Sequence, residues 1–150
     1  MQFSVRASVE QFTLAHPYRE GLLQISVAVP AVETPDAPMP VLYVVDGDIL
    51  FGMAAEIGRA VSTVEEFPAH YVVGIGYDAA FADFMRLRTA DLAPPIGAEA
   101  LDDLGAFGTA IGGESSGGAD AFLAFLIETL RPEIAARYPL TDGGAPNLFG

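Results

Sequence analysis

The chain of 150 residues contains no cysteine and no lysine. Without cysteine it can form no disulfide, no thiolate metal site and no cysteine nucleophile, which fits a cytoplasmic protein. Seven arginines stand against 20 acidic residues, so the formal net charge is −13. Nucleic-acid-binding proteins neutralise phosphates with clustered basic residues. Because no such cluster exists here, the composition excludes a nucleic-acid partner.

Long apolar runs are also missing. None approaches the ~18 residues that a membrane-spanning helix requires, and residues 1–6 do not open a basic region followed by an apolar core, as a secretory signal would. The sequence therefore predicts neither a membrane partner nor secretion, and it favours a cytoplasmic location. A hydrophobic fraction of 51% excludes a disordered chain, and the length is that of one domain.

The most informative stretch is 41–48, where five apolar residues are followed by Asp46, Gly47 and Asp48. An apolar run without alternation predicts a strand buried on both faces, and Asp-Gly predicts a tight turn. Apolar residues then recur at helical spacing, which predicts a helix over about 50–62. Since ligands bind beyond the carboxyl ends of parallel strands, we expect the working edge of the protein at residues 46–48.

The flanking segments predict the rest of an α/β layer architecture. Alternating apolar residues predict antiparallel strands at 3–14 and 22–29. A second buried run at 71–76 is expected to pair in parallel with 41–45 across a helical crossover, and residues 147–150 begin a third parallel strand. The predicted fold is therefore a mostly parallel sheet with covering helices.

Two segments late in the chain have less regular patterns. Residues 77–118 contain Pro94, Pro95 and many glycines, which predicts a long loop that is functional or mobile. A helix is expected to begin near Ala119 and to be kinked by Pro132, which lacks an amide donor and crowds the carbonyl of Glu128.

One catalytic motif matches by its residue types but lacks the predicted strand and helix that the motif requires. Residues 113–117 match G-x-S-x-G, a motif that needs a strand before its serine and a helix immediately after it. The preceding residues 106–113 are glycine-rich without a strand pattern, and no histidine follows Ser115. We therefore interpret this segment as a flexible Gly/Ser loop. His16 and His70 have no partners at metal-ligand spacing and are interpreted as structural or merely exposed.

The remaining candidates are two aspartates and two arginines. Asp46 and Asp48 could form an acid–base pair or hold a divalent cation, although a turn residue plus an Asp48 N-cap is the favoured interpretation. The amides of this turn could instead bind an oxyanion. Arg86 and Arg88 could grip an anionic substrate, or one of them could pair with Asp91 and pin the loop. The residues alone leave both possibilities open.

Five blocks in order resemble the esterase branch of the α/β-hydrolases, most closely the enterochelin (siderophore trilactone) esterase-like group, which is related to esterase D and the mycolyltransferases. The blocks are 41–48 (VLYVVDGD), 72–77 (VVGIGY), 86–94 (RLRTADLAP), 117–122 (GGADAF) and 148–150 (LFG). The resemblance implies an α/β-hydrolase sheet that reaches the strand leading into the nucleophile elbow.

The resemblance also implies an activity and site residues. In that family Leu-Phe-Gly continues as His-Ser-x-Gly-Gly, so Gly150 would begin the nucleophile elbow, with the serine two residues later and the acid and histidine beyond it. The resemblance further implies that the backbone N–H of Asp48, in the turn with Gly47, belongs to the oxyanion hole. Arg88 and Arg86 become candidate contacts to a small-molecule ester, and neither cofactor nor metal is needed.

On this interpretation residues 1–150 are one incomplete α/β-hydrolase domain, without a second domain and without triad-dependent activity of their own. Two alternatives stay open. One is a non-catalytic module that binds a ligand or partner at the 46–48 edge, against which the exposed apolar strand at 147–150 argues. The other is a metal- or phosphate-dependent enzyme using Asp46 and Asp48, which lacks further convergent ligands.

Overall fold

A computed structural model describes residues 8–30, 37–62, 67–111, 116–141 and 147–149. The strands are β1 Ser8–Ala15, β2 Leu22–Val29, β3 Val41–Val44, β4 Tyr71–Gly76 and β5 Asn147–Phe149. The helices are α1 Gly47–Val61, α2 Phe81–Leu92, α3 Ala98–Asp103, α4 Ala106–Ile111, α5 Ala119–Phe125 and α6 Arg131–Arg137, with a π turn at Leu126–Leu130 between the last two.

The five strands form one mixed sheet in the order β1-β2-β4-β3-β5. β2 pairs antiparallel with both β1 and β4, whereas β3 pairs in parallel with β4 and with β5. The predicted α/β class, the antiparallel opening pair and the parallel pairing of β3 with β4 and β5 are confirmed. Residues 3–7 of the predicted first strand and Gly150 of the last lie outside the described residues.

The chain divides into two compact units. The first comprises residues 1–15, 21–76 and 135–150 and contains the whole sheet and α1. β4 is buried along its entire length, as its unbroken apolar run predicts. β3 departs from the prediction, because Val41 and Leu42 are only half-buried while Tyr43 and Val44 are buried. One apolar cluster joins α1 to the sheet and consists of Ala28, Val44, Ala54, Ala55 and Val72, with Leu42, Leu50 and Phe51 packed against it.

Glycine allows α1 to lie close to the sheet. A Cβ on Gly74 of β4 would lie 2.7 Å from the ring of Phe51. The apolar stripe predicted from Leu50 onward thus packs on β4, but the helix itself begins at Gly47, earlier than predicted. Hydrophobic periodicity does not predict this first turn, because its residues end the strand and do not supply the apolar side chains on which the pattern depends.

The second unit comprises residues 16–20 and 77–134, and here the prediction of a long loop at 77–118 is wrong. α2, α3 and α4 occupy most of that segment. The buried face of α2 consists of Phe84, Thr89 and Asp91. Because two of these three residues are polar, the sequence lacks the apolar stripe that identifies an amphipathic helix. The glycines and prolines separate the helices: Pro94 and Pro95 follow α2, and Gly105, at φ 55°, joins α3 to α4.

The helix predicted near Ala119 begins there and is irregular before Pro132. The amide of Arg131 donates to the carbonyl of Leu126, five residues earlier, which makes residues 126–130 a π turn. Such a turn re-pairs backbone groups where proline removes a donor from the regular ladder. Within the ranges that the structure describes, no helix is long and apolar enough to cross a bilayer.

Candidate functional site

The turn between β3 and α1 is tightly constrained. Asp46 occupies the N-cap position of α1 in the left-handed conformation, at φ 54° and ψ 38°. Gly47 follows directly against β4, where an added Cβ would lie 2.8 Å from backbone atoms of Ile75. A side chain there would displace the backbone of the central strand. The Asp-Gly pair therefore lets the chain leave the sheet abruptly and start a helix within one residue.

The first backbone amides of α1 come before the residues whose N–H groups donate hydrogen bonds within the helix. The N–H groups of Ile49 and Leu50 both donate to the carbonyl of Asp46, each at 2.9 Å. Gly47 and Asp48 come before these donors, and amides at this position have no intrahelical acceptor. Together with the helix dipole, they are the groups that bind anions at helix N-termini. Their predicted role in an oxyanion hole stays a prediction.

The Asp48 side chain is not the N-cap that the sequence predicted, because Asp46 holds that position and its side chain makes no capping hydrogen bond. Asp48 lies in the first turn, with its carboxylate against β4. A Cβ on Gly76 would come within 2.8 Å of Asp48 Oδ2. Among the described residues no group of three or more histidine or acidic side chains could hold a metal ion.

The carboxyl ends of β3 and β5 meet at this same edge. The N–H of Val45 donates to the carbonyl of Phe149 at 2.9 Å, so the parallel ladder continues to the residue before the turn. Gly150, the predicted start of the nucleophile elbow, lies outside the described residues.

Arg86 and Arg88 lie on α2 and not in a loop as predicted. Arg86 is half-exposed and pairs with Asp83 one turn away, at 3.4 Å. Such exposed pairs contribute little to stability. Both arginines belong to the second unit, whereas Gly47 and Asp48 belong to the first.

Asp91, at the end of α2, has partners that the sequence analysis missed. Its side chain is fully buried and accepts three hydrogen bonds from the turn between β1 and β2. Oδ2 accepts from Arg19 at 2.6 Å and from His16 Nε2 at 2.9 Å, and Oδ1 accepts from the Tyr18 hydroxyl at 2.5 Å. We name these four residues the Asp91 cluster. No local sequence pattern connects residues that lie 72 to 75 positions apart, so only the tertiary structure reveals the Asp91 cluster.

The two ring nitrogens of His16 are both engaged. Nδ1 accepts the N–H of Tyr18 at 3.4 Å, and Nε2 lies 2.9 Å from Asp91 Oδ2. This supports the structural interpretation of His16, which is buried. Partial burial and the hydrogen bond to Asp91 both raise the pKa of Tyr18 well above its ordinary value. His70, at the start of β4, contacts the carbonyl of Pro68 through Nδ1 at 3.1 Å.

Comparison with known proteins finds siderophore esterases among the relatives of this chain. The chain is 32% identical over 147 residues to a siderophore triacetylfusarinine C esterase from Aspergillus fumigatus, covering 94% of this chain and 46% of the relative. It is 32% identical over 132 residues to the ferri-bacillibactin esterase BesA of Bacillus subtilis, covering 84% and 43% respectively. The siderophore hydrolase EstA from Aspergillus nidulans superimposes on all of this chain with a TM-score of 0.73 at 27% identity, over 50% of its own length.

The chain is homologous to siderophore esterases and has an α/β-hydrolase-type fold. It spans about half the length of the relatives it matches, and the curated relatives are esterases. No family model matches the sequence. These siderophore esterase homologues confirm the resemblance indicated by the five sequence blocks.

The G-x-S-x-G segment does not have the surroundings of an esterase elbow. A helix, α4, precedes it where the motif needs a strand. Ser116 accepts a hydrogen bond from the N–H of Ile96 at 2.9 Å, and Gly117 has a φ of 106°. Ser115 itself lies outside the described residues.

Proposed function

We propose that this chain is part of a serine carboxylic-ester hydrolase that acts on a siderophore trilactone or another acyl ester. The proposed triad of Ser, His and Asp type lies beyond residue 150, and residues 1–150 are an incomplete hydrolase domain that is inactive alone. Two observations support the proposal: the curated relatives are siderophore esterases, and this chain spans 43–46% of their length.

The observation that carries the proposal is the geometry of the β3–α1 turn. When the serine attacks the ester carbonyl, its oxygen becomes an oxyanion while histidine takes the serine proton. Amides fixed in place before the reaction stabilise that charge without reorganisation. The N–H of Asp48, next to that of Gly47, is the proposed donor, because Gly47 packs on the Ile75 backbone and the turn cannot readily shift.

The proposed substrate contacts are Arg88 and Arg86 on α2. Guanidinium groups bind anionic oxygens through paired N–H donors, which suits a ligand with carboxylate or phenolate oxygens. Lysine is absent and only seven arginines occur in the chain, so few other residues could supply a positive charge.

The non-catalytic alternative is disfavoured by strand β5. Leu148 and Phe149 are 54% and 47% exposed, and in the described part of the sheet β5 pairs on one side only, with β3. An uncovered apolar edge invites aggregation. A longer hydrolase domain would cover it.

The experiment is to read the gene beyond codon 150 and to express the protein it encodes. We expect His-Ser-x-Gly-Gly in frame, hydrolysis of enterobactin or triacetylfusarinine C, and loss of turnover when that serine is changed to alanine. Residues 1–150 alone serve as the inactive control. A stop codon after Gly150 would favour the binding module, and turnover by residues 1–150 that disappears with Ser115→Ala would contradict the proposal.

A further inference from the structure

The Asp91 cluster does more than join a turn to a helix, because it fixes one cation at the surface. The side chain of Asp91 has no exposure, whereas that of Arg19 is 24% exposed. Burying a carboxylate is costly unless its oxygens are fully paired, and here a guanidinium, a hydroxyl and an imidazole N–H pair them. The turn is thus held through three side chains, and the orientation of Arg19 is held with it.

Two tyrosine rings flank the fixed guanidinium. The Arg19 Cζ atom lies 5.8 Å from the ring centre of Tyr18 and 5.9 Å from that of Tyr77, within the range of a cation–π contact. Of the five guanidinium N–H donors, one binds Asp91. Among the described residues, no second hydrogen bond of Arg19 is found. The guanidinium is therefore a flat, oriented cation close to two aromatic rings, and within the described residues only one of its donors has a hydrogen-bond partner.

We propose that Arg19, Tyr18 and Tyr77 form a recognition subsite for an aromatic oxyanion, such as a ring-bearing carboxylate or phenolate, and that Asp91 is the positioning residue that orients Arg19. Free N–H donors match the oxygens of such a ligand, and the tyrosine rings match its planar part. The assignment of this ligand to the acyl portion of the substrate rests on the proposed esterase function, but the binding itself does not.

The effect of Asp91→Asn on anion binding distinguishes a positioning role of Asp91 from simple charge balance. If Asp91 only neutralises Arg19, then Asp91→Asn frees positive charge and should strengthen the binding of an anion. If Asp91 positions Arg19, the same change should weaken binding although the site loses a negative charge. The carboxamide has nearly the same shape as the carboxylate, so the substitution changes charge and hydrogen bonding with little change in packing.

The test titrates salicylate into the 150-residue chain by isothermal calorimetry or NMR, with neutral benzamide as the uncharged probe. We expect millimolar salicylate binding, at least tenfold weaker benzamide binding, at least tenfold loss with Arg19→Gln and a clear loss with Asp91→Asn. The matched control is Arg59→Gln, which removes an equal charge from an exposed helical pair with Glu56 and should leave binding unchanged.

Each other outcome overturns a part of the proposal. No salicylate binding, unchanged binding with Arg19→Gln, or an equal loss with Arg59→Gln overturns the subsite. Stronger binding with Asp91→Asn overturns the positioning role. If Asp91→Asn fails to fold, Tyr18→Phe removes one bond of the cluster and keeps the ring, so unchanged binding there overturns positioning. Hydrolysis is not measured, so failure of the esterase proposal would appear separately.

Discussion

Gly47 lies against the backbone of Ile75 so closely that no side chain fits between them. A Cβ at position 47 would be 2.8 Å from the N, C and O atoms of Ile75. This contact fixes the proposed oxyanion-binding turn against the central strand, and it joins the stability of the sheet to the geometry of the site.

The first prediction compares two glycines of α1. Gly47→Ala should destabilise the fold by about 1–3 kcal/mol, because the strand backbone must move. Gly52→Ala, with nothing within 4 Å of its added Cβ, should stabilise it by about 0.5–1 kcal/mol through helix propensity. Urea unfolding followed by circular dichroism measures both. Equal effects of the two substitutions would show that the Gly47 contact is not tight.

The second prediction concerns the left-handed backbone of Asp46, at φ 54°. Asparagine adopts this conformation readily, so Asp46→Asn should lower the free energy of unfolding less than a β-branched substitution does. A β-branched side chain is strained there, so Asp46→Val should cost about 1–2 kcal/mol or more. The same urea curves give the answer. A valine variant as stable as the asparagine variant would contradict the left-handed turn.

The third prediction is a loss of stability in alkali. Burial and hydrogen bonds to Asp91 and Glu10 raise the pKa of Tyr18 and Tyr138 above the ordinary value of 10.0. A group with a raised folded pKa binds its proton more tightly when folded. Its contribution is therefore complete below pH 10 and declines as pH rises above it.

Melting temperatures between pH 8 and 11.5 check this loss. The decline above pH 10 should shrink in a Tyr18→Phe, Tyr138→Phe double variant, which lacks both raised groups. Absorbance at 295 nm should show that at least two of the five tyrosines resist ionisation in the folded chain. Simultaneous titration of all five near pH 10 would refute the prediction.

The fourth prediction addresses the metal-dependent alternative. A site with a dissociation constant of about 0.1 mM would add about 2.7 kcal/mol at 10 mM metal, which raises the melting temperature by several degrees. We expect Mg²⁺ or Ca²⁺ to shift it by less than about 1 °C, relative to sodium chloride of equal ionic strength. A rise of several degrees that Asp48→Asn abolishes would instead place a cation at this turn.

Local patterns predicted the elements whose residues serve burial. The unbroken run of β4 and the stripe from Leu50 onward each carry their period in adjacent residues, and both were predicted. The local pattern does not predict α2, because the polar residues Thr89 and Asp91 occupy its buried face. Residue preference predicts the N-cap of α1 at Asp48, whereas the structure has it at Asp46, because preference alone does not distinguish two aspartates flanking one glycine.

The sequence by itself determined the α/β class, the parallel strands around the 46–48 turn and the family resemblance, because each depends on a short run of residues or on the order of such runs. Tertiary structure alone decided which side chains meet. His16, Tyr18 and Arg19 contact Asp91 although they lie more than 70 positions away in the sequence. Their hydrogen bonds stabilise the buried carboxylate. A desolvated charge requires every available donor, and no local period records where those donors come from.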